Sequence, residues 1–146
     1  MPLDPNNLGF LITDVQRLLR REFNRRIEAT GLTLAQARCL ALIARNEGLR
    51  QVELAELLEI RPISMVGLLD QLAGAGLVER QPDPSDRRAY RLYLAPGAEQ
   101  PLETIRAVAD EIRDFSVQDL SQKDRLLLLA SLRKMRDRLA SRTGDQ

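Results

Sequence analysis

Gln51-Val52-Glu53-Leu54-Ala55-Glu56-Leu57-Leu58, Glu59-Ile60-Arg61 and Pro62-Ile63-Ser64-Met65-Val66-Gly67-Leu68-Leu69-Asp70-Gln71-Leu72-Ala73 make the stretch whose reading decides the fold. Val52, Leu54, Leu57 and Leu58 recur at helical spacing over one short segment. Pro62 then fits the first turn of a second helix, where its missing N–H leaves no bond unmade. Gly74 and Gly76 close that helix, since glycine tolerates the left-handed conformation of a helix end. Beyond them the periodicity changes. Leu77-Val78-Glu79-Arg80 and Tyr90-Arg91-Leu92-Tyr93-Leu94 are β-prone runs separated by the turn-rich Gln81-Pro82-Asp83-Pro84-Ser85-Asp86-Arg87-Arg88, a pattern that predicts a hairpin with a polar tip.

Working outward, residues 7–29 read as a long helix with Leu8, Leu11, Ile12, Val15, Leu19 and Ile27 at helical spacing, capped by Asn6 or Asn7 and stopped by Gly31. Thr33 and Gln36 stand at capping-box distance and open a helix to about Arg45 that turns Leu40, Ala41, Ile43 and Ala44 inward. After Pro96-Gly97, helices are expected from about residue 98 or 101 to Val117 and from Ser121 to about Ser141. Leu126 to Leu129 are consecutive leucines, so they point all round a helix and cannot all face one small core. A second copy of the chain is the expected cover.

The 146 residues have the length of one domain, with 44% apolar and 29% charged residues. No apolar run is long enough for a membrane span, and the opening MPLDPNNLGF lacks the features of a signal peptide, so a cytoplasmic location is expected. Cys39 is the only cysteine and there is no histidine. A disulfide framework is excluded, and the usual general base and transition-metal ligand are missing, so neither a catalytic role, nor a metal, nor a cofactor is assigned. The formal net charge of +1 advertises no polyanion partner. Nearly all of the basic residues are arginines, whose planar forks suit phosphate and base edges.

Two short helices joined by a tight turn and followed by a hairpin make a winged helix-turn-helix, which lays its second helix in the major groove of duplex DNA. The expected fold is mainly α with a small β-hairpin: a single domain over 1–146, with the winged lobe at 33–95 framed by dimerisation helices at 1–32 and 96–146. Leu54-Ala55-Glu56-Leu57-Leu58, Leu69-Asp70-Gln71-Leu72, Gly76-Leu77-Val78-Glu79-Arg80 and Ser85-Asp86-Arg87-Arg88-Ala89 together resemble the MarR family of bacterial transcription regulators, most of all its SlyA branch. The resemblance covers nearly the whole chain. It implies a homodimer that binds double-stranded DNA at a pseudo-palindromic operator, most often as a repressor relieved by a small ligand.

On the wing, Arg87 and Arg88 are candidates for the minor groove, whose negative potential draws guanidinium groups, with Asp86 placed to hold an arginine fork. In the recognition helix, Met65, Val66, Leu69, Leu72 and Ala73 are assigned to the core side, and Ile63, Ser64, Gly67, Leu68 and Gln71 to the outer face. Ser64 and Gln71 can bond base edges, whereas Ile63 and Leu68 can touch thymine methyl groups. Many similar proteins carry an arginine where Gly67 stands, so one guanine contact is missing. Arg50, Gln51, Arg61 and Arg80 are candidate phosphate contacts. Against this reading, residues 50–91 hold six arginines and seven carboxylates, a net of about −1, where a basic footprint is the norm. A winged helix that serves protein interaction without DNA is therefore the competing class.

The resemblance also implies an effector, a small aromatic acid or a larger conjugate, bound between the dimer helices and the DNA lobe. Arg17 on the basic first helix is the candidate carboxylate partner, and Ala37 and Ala41 stand where bulkier residues often line that pocket, which predicts a wider apolar space. Some members of the family sense peroxide through a cysteine. Cys39 lies near the apolar stripe of its helix, so a buried small hydrophobe is the favoured reading over a redox sensor.

Overall fold

The computed structural model describes residues 3–144. The elements run α1 (Leu8–Glu28), α2 (Leu34–Arg45), β1 (Leu49–Arg50), α3 (Gln51–Leu58), α4 (Pro62–Gly74), β2 (Val78–Asp83), β3 (Asp86–Leu94), a 3-10 turn (Pro96–Ala98), α5 (Glu99–Ser116) and α6 (Gln122–Thr143). They divide into two compact units, the first ending at Asp110 and the second beginning at Glu111. None of the described helices is long and apolar enough to cross a membrane.

The helix ends follow their capping chemistry. Asn7 Oδ1 accepts the Gly9 N–H at 2.9 Å, and Gly31 takes φ +87° just past α1. Thr33 and Gln36 form the reciprocal box: the Gln36 N–H donates to Thr33 Oγ1 at 3.1 Å and the Thr33 N–H to Gln36 Oε1 at 3.0 Å. At the turn between α3 and α4, Glu59 adopts φ +55° and ψ +40°, and the Ile60 N–H reaches the Ala55 carbonyl at 3.1 Å. A glutamate there bears a steric cost that glycine would not. Pro62 occupies the start of α4 as expected.

The core of the first unit collects Ile27, Leu40, Ile43, Leu54, Met65, Leu69, Leu72 and Leu92, all fully buried, with Ala37 and Cys39 among them. Met65, Leu69 and Leu72 lie at i, i+4 and i+7, so the buried seam of α4 is narrow. Two residues leave their expected sides. Val66 is 44% exposed instead of packed inward, and Leu68 is half-buried against the core instead of fully outward. Ala44 is exposed, whereas Cys39, earlier on the same helix, joins the buried set.

The hairpin is longer and its tip tighter than the turn-rich string predicts. Pairing continues from Val78↔Leu94 through Pro82↔Tyr90 to Asp83↔Asp86, so only Pro84 and Ser85 make the turn. Pro82 is tolerated because β2 is an edge of the sheet, whose order is β1-β3-β2. Strand β1 contributes Leu49↔Leu92 and Arg50↔Arg91, a pairing too short to leave a periodic signal.

One carboxylate ties these strands together. Asp83 is buried, and its Oδ1 accepts the Ser85 N–H at 2.8 Å and the Ser85 hydroxyl at 2.7 Å. Its Oδ2 takes Arg50 Nε at 2.9 Å and Arg91 Nε at 3.1 Å. Arg50 Nη2 also donates to Ser85 Oγ at 3.3 Å, and Arg91 Nη1 to the Gly48 carbonyl at 2.9 Å. The bonds from the Ser85 side chain and backbone, helped by the charges of Arg50 and Arg91, hold the Asp83 carboxyl at about 2, below its usual 3.8, against the opposing effect of burial.

In the second unit, Ser121 Oγ caps α6 by accepting the Asp124 N–H at 3.1 Å, and Arg125 Nε donates to the Val117 and Leu120 carbonyls, both at 3.1 Å. Leu126, Leu127, Leu128 and Leu129 are all exposed on α6 of the single chain. In the first unit, Leu8, Leu11, Ile12, Val15 and Leu18 of α1 are exposed as well.

Two stability measurements check this description. A depressed carboxylate stabilises the fold fully above its unfolded pKa of about 3.9 and loses that contribution as pH falls through its folded value. The stability gap between wild type and Asp83→Asn, measured by denaturant unfolding, should therefore be full at neutral pH and close between pH about 4 and about 2. Glu59→Gly, at an exposed left-handed position, should raise stability by about 0.5–1 kcal/mol, read as an increased urea midpoint with an unchanged slope.

Candidate nucleic-acid interface

Helix α4 and the β2–β3 hairpin flank one cleft of the first unit, about 690 Å³ in volume, with Arg50, Arg80, Arg88, Met65, Val66 and Tyr90 among its walls. The wing carries Arg87 and Arg88 on β3 itself, both exposed, and successive strand residues project to opposite faces. Arg88 faces the cleft. Asp86 Oδ1 accepts the backbone N–H of Arg88 at 3.0 Å, a local turn contact. The carboxylate that holds arginine forks is Asp83, which faces into the sheet, and not Asp86 at the tip.

The other sequence candidates fall into a tethered and an open group. Arg50 is held by Asp83 and Ser85, and its backbone N–H is bonded to Glu53 Oε2 at 3.0 Å, so this residue joins α3 to the wing. Arg80 at the wing base pairs with Asp70 of α4 at 2.7 Å and donates to the Val66 carbonyl at 3.3 Å, while its Nε is buried without a hydrogen-bond partner. Arg61 occupies the N-cap position of α4 without a side-chain capping bond and is exposed, as are Ile63, Ser64 and Gln71; Gln51 opens α3 and is half-buried. Among the described residues, Arg61, Arg87 and Arg88 take part in no ion pair.

These pairings use three of the six arginines and two of the seven carboxylates, so Glu53, Glu56, Glu59, Glu79 and Asp86 remain exposed and the lobe keeps its acidic balance. Asp83 is neutralised by two arginines and Asp70 by Arg80, which leaves the uncommitted cations at the start of α4 and on the wing. Asp83 and Arg91 escape a reading based on residue type because their roles depend on strand register. The Asp-x-Ser spacing was the available signal: an aspartate oxygen bonding the N–H two residues on is an Asx turn.

The proposed effector residues differ in exposure within the single chain. Arg17 is exposed and lies 3.5 Å from Asp14 on its own helix. Ala37 is fully buried in the core and Ala41 half-buried beside it. Cys39 is a free, buried cysteine whose thiol pKa burial pushes up to about 12, so thiolate is scarce at neutral pH.

Comparison with known proteins agrees with this geometry. The model of the MarR family matches residues 32–90, from the start of α2 into the wing. A "Putative transcriptional regulatory protein for hcr operon" from Thauera aromatica is 36% identical over 130 residues, which span 88% of this chain and 78% of that protein. The crystal structure of a mutant MarR from E. coli complexed with operator DNA superposes with a TM-score of 0.69 at 26% identity, covering 89% of this chain and 94% of the other. The Mycobacterium tuberculosis MarR family protein Rv2887, in complex with salicylic acid, gives a TM-score of 0.72 at 26% identity over 90% of this chain and 98% of the other. With its winged helix-turn-helix and a relative matched over most of both lengths, the chain belongs to the MarR family of DNA-binding transcription regulators.

Proposed function

We propose that this regulator is a cytoplasmic homodimeric repressor of the SlyA-like branch, which binds a pseudo-palindromic operator and leaves it when a small anionic aromatic ligand binds. The observation that carries the DNA reading is the pair of uncommitted arginines, Arg87 and Arg88, on a strand beside α4. Each copy would place α4 in a major groove and its wing against the adjacent minor groove. The half-sites would lie about one helical turn apart. Arg61 at the start of α4, and the helix end itself, suit backbone phosphate. Arg50 and Arg80, engaged within the protein, set the wing and α4 in place and reach DNA with their remaining donors. The exposed leucines of α6 and the apolar stripe of α1 are the surfaces a second copy would cover. The Leu69-Asp70-Gln71-Leu72 and Ser85-Asp86-Arg87-Arg88-Ala89 strings support the branch.

For the ligand, the cleft between α4 and the wing has fitting chemistry: apolar Val52, Ala55, Met65 and Val66 beside the guanidinium groups of Arg50, Arg80 and Arg88. The salicylic acid complex of the M. tuberculosis relative supports an aromatic carboxylate. An acid seated there would compete with DNA for Arg88. The space near Arg17, Ala37 and Ala41 is the second reading, and it needs the dimer to form a pocket, because Ala37 is closed off in the single chain. Redox sensing through Cys39 is disfavoured by its burial and its raised pKa.

Arg88→Ala should weaken duplex binding at least about tenfold, about 1.4 kcal/mol, and lower the salt slope of log K by about 1 per lost phosphate contact. Fluorescence anisotropy across a salt series reads both; unchanged binding would favour a protein-interaction role. Salicylate and bulkier aromatic acids should raise the melting temperature and lower duplex affinity together, and neither quantity moving with any of them removes the small-acid reading.

A further inference from the structure

The outward positions of α4 are Ile63, Ser64, Val66, Gly67, Asp70 and Gln71, all exposed. No lysine, arginine or asparagine lies on this helix. Asp70 is occupied by Arg80 at 2.7 Å, so its acceptor is already engaged. Only the Ser64 hydroxyl and the Gln71 amide remain for base-edge hydrogen bonds, and neither has the two-pronged donor that recognises guanine.

The rest of this face is apolar. Ile63 is 80% exposed on the first turn, and Val66, three residues on, stands on the same side of the helix. A single exposed isoleucine would mean little. Here two aliphatic side chains occupy the part of a recognition helix that enters the groove, beside the unpaired cations Arg61, Arg87 and Arg88. A Cβ at Gly67 would meet nothing within 4 Å, so packing does not demand glycine there. Its missing side chain lets the helix approach the groove floor closely. In the major groove of unmodified DNA, the one apolar group is the C5-methyl of thymine.

We infer that α4 reads its operator chiefly through thymine methyl groups, with Ile63 and Val66 as the specificity-determining contacts. The inference rests on the operator-binding reading above and deepens it: the bases facing α4 are A·T pairs with thymine toward the N-terminal half of the helix. The Arg80 bond to the Val66 carbonyl fixes this surface relative to the wing. Val66 thereby acquires a role through its exposed side chain that the assignment to the core had hidden.

The test uses the full chain and duplexes it selects from a random-sequence pool. Each thymine of a selected half-site is replaced by deoxyuridine, which removes only the methyl group. Affinity should fall about fourfold per contacted thymine, about 0.8 kcal/mol, at one or two positions of each half-site. Ile63→Ala, at a position too exposed to threaten the fold, should itself weaken binding and abolish the sensitivity at its position. Val66→Ala should do so at a neighbouring one. Selected sites with G·C pairs opposite α4, or uracil substitution without effect throughout, overturn the inference while operator binding stands. A failure to select any duplex overturns operator binding and this inference with it.

Discussion

Everything at the wing end of the lobe depends on one buried carboxylate shared between two arginines. Asp83 closes the Pro84-Ser85 turn with one oxygen and gathers Arg50 and Arg91 with the other. Arg50 immediately precedes α3, Arg91 sits in the central strand, and Asp83 ends β2. A single group thus fixes the start of the helix pair against the wing. A buried charge without partners would be strongly destabilising, so the pairing constrains register as well as position: a slip of one residue would turn Asp83 to the other face and strand both arginines. This constraint makes the long hairpin a positioned arm rather than a loose one.

The same arrangement sorts the charges of the lobe by position without changing their acidic balance. Counting residues over 50–91 treats every charge as available. In the fold, Asp83 and Asp70 are consumed by Arg50, Arg91 and Arg80, which hold the scaffold together. What remains outward is Arg61, Arg87 and Arg88 together with Glu53, Glu56, Glu59, Glu79 and Asp86, so the case for DNA rests on where the three arginines stand, at the start of α4 and on the wing. Net charge governs long-range steering, but the contacts in a groove answer to the local field.

How much of this was legible in the sequence differs by the type of signal. The caps at Asn7 and Thr33, Pro62 at the start of α4, Gly31 past α1 and the order of helices and hairpin were all readable, because each is a local rule acting over three or four residues. The long-range features were not. Strand β1 is two residues that exist only because Leu92 and Arg91 lie opposite. The hairpin reaches Asp83↔Asp86 despite two prolines, since both lie where a missing donor is harmless: one in an edge strand, the other in the turn. Asp86 looked like the holder of the arginine fork from its place in the Asp-Arg-Arg string; the register gives that task to Asp83. Val66 and Leu68 changed sides because the seam through Met65, Leu69 and Leu72 is narrow, and a residue 100° from it can fall either way.

A recognition helix with few donors changes how discrimination must be achieved. Arginines on phosphate and in the minor groove provide affinity that is largely independent of sequence, and it is screened by salt. A methyl contact adds only about 0.8 kcal/mol, less than the about 1–3 kcal/mol of a two-pronged base contact. Selectivity built from such small terms cannot rest on any single base. In the proposed binding mode it would come from summing them over both half-sites of the dimer, and from the wing sensing minor-groove width, which is narrow in A-tracts. Both preferences point to the same composition, since thymine methyls in the major groove and a narrow minor groove beside them arise together in A·T-rich DNA. The spacing of the two copies then becomes the sharpest discriminator, because weak terms on two half-sites add only when both copies engage at once. On the proposed reading, a ligand that altered this spacing, or that occupied the cleft beside Arg88, would need to remove only one of the two engagements to release the operator.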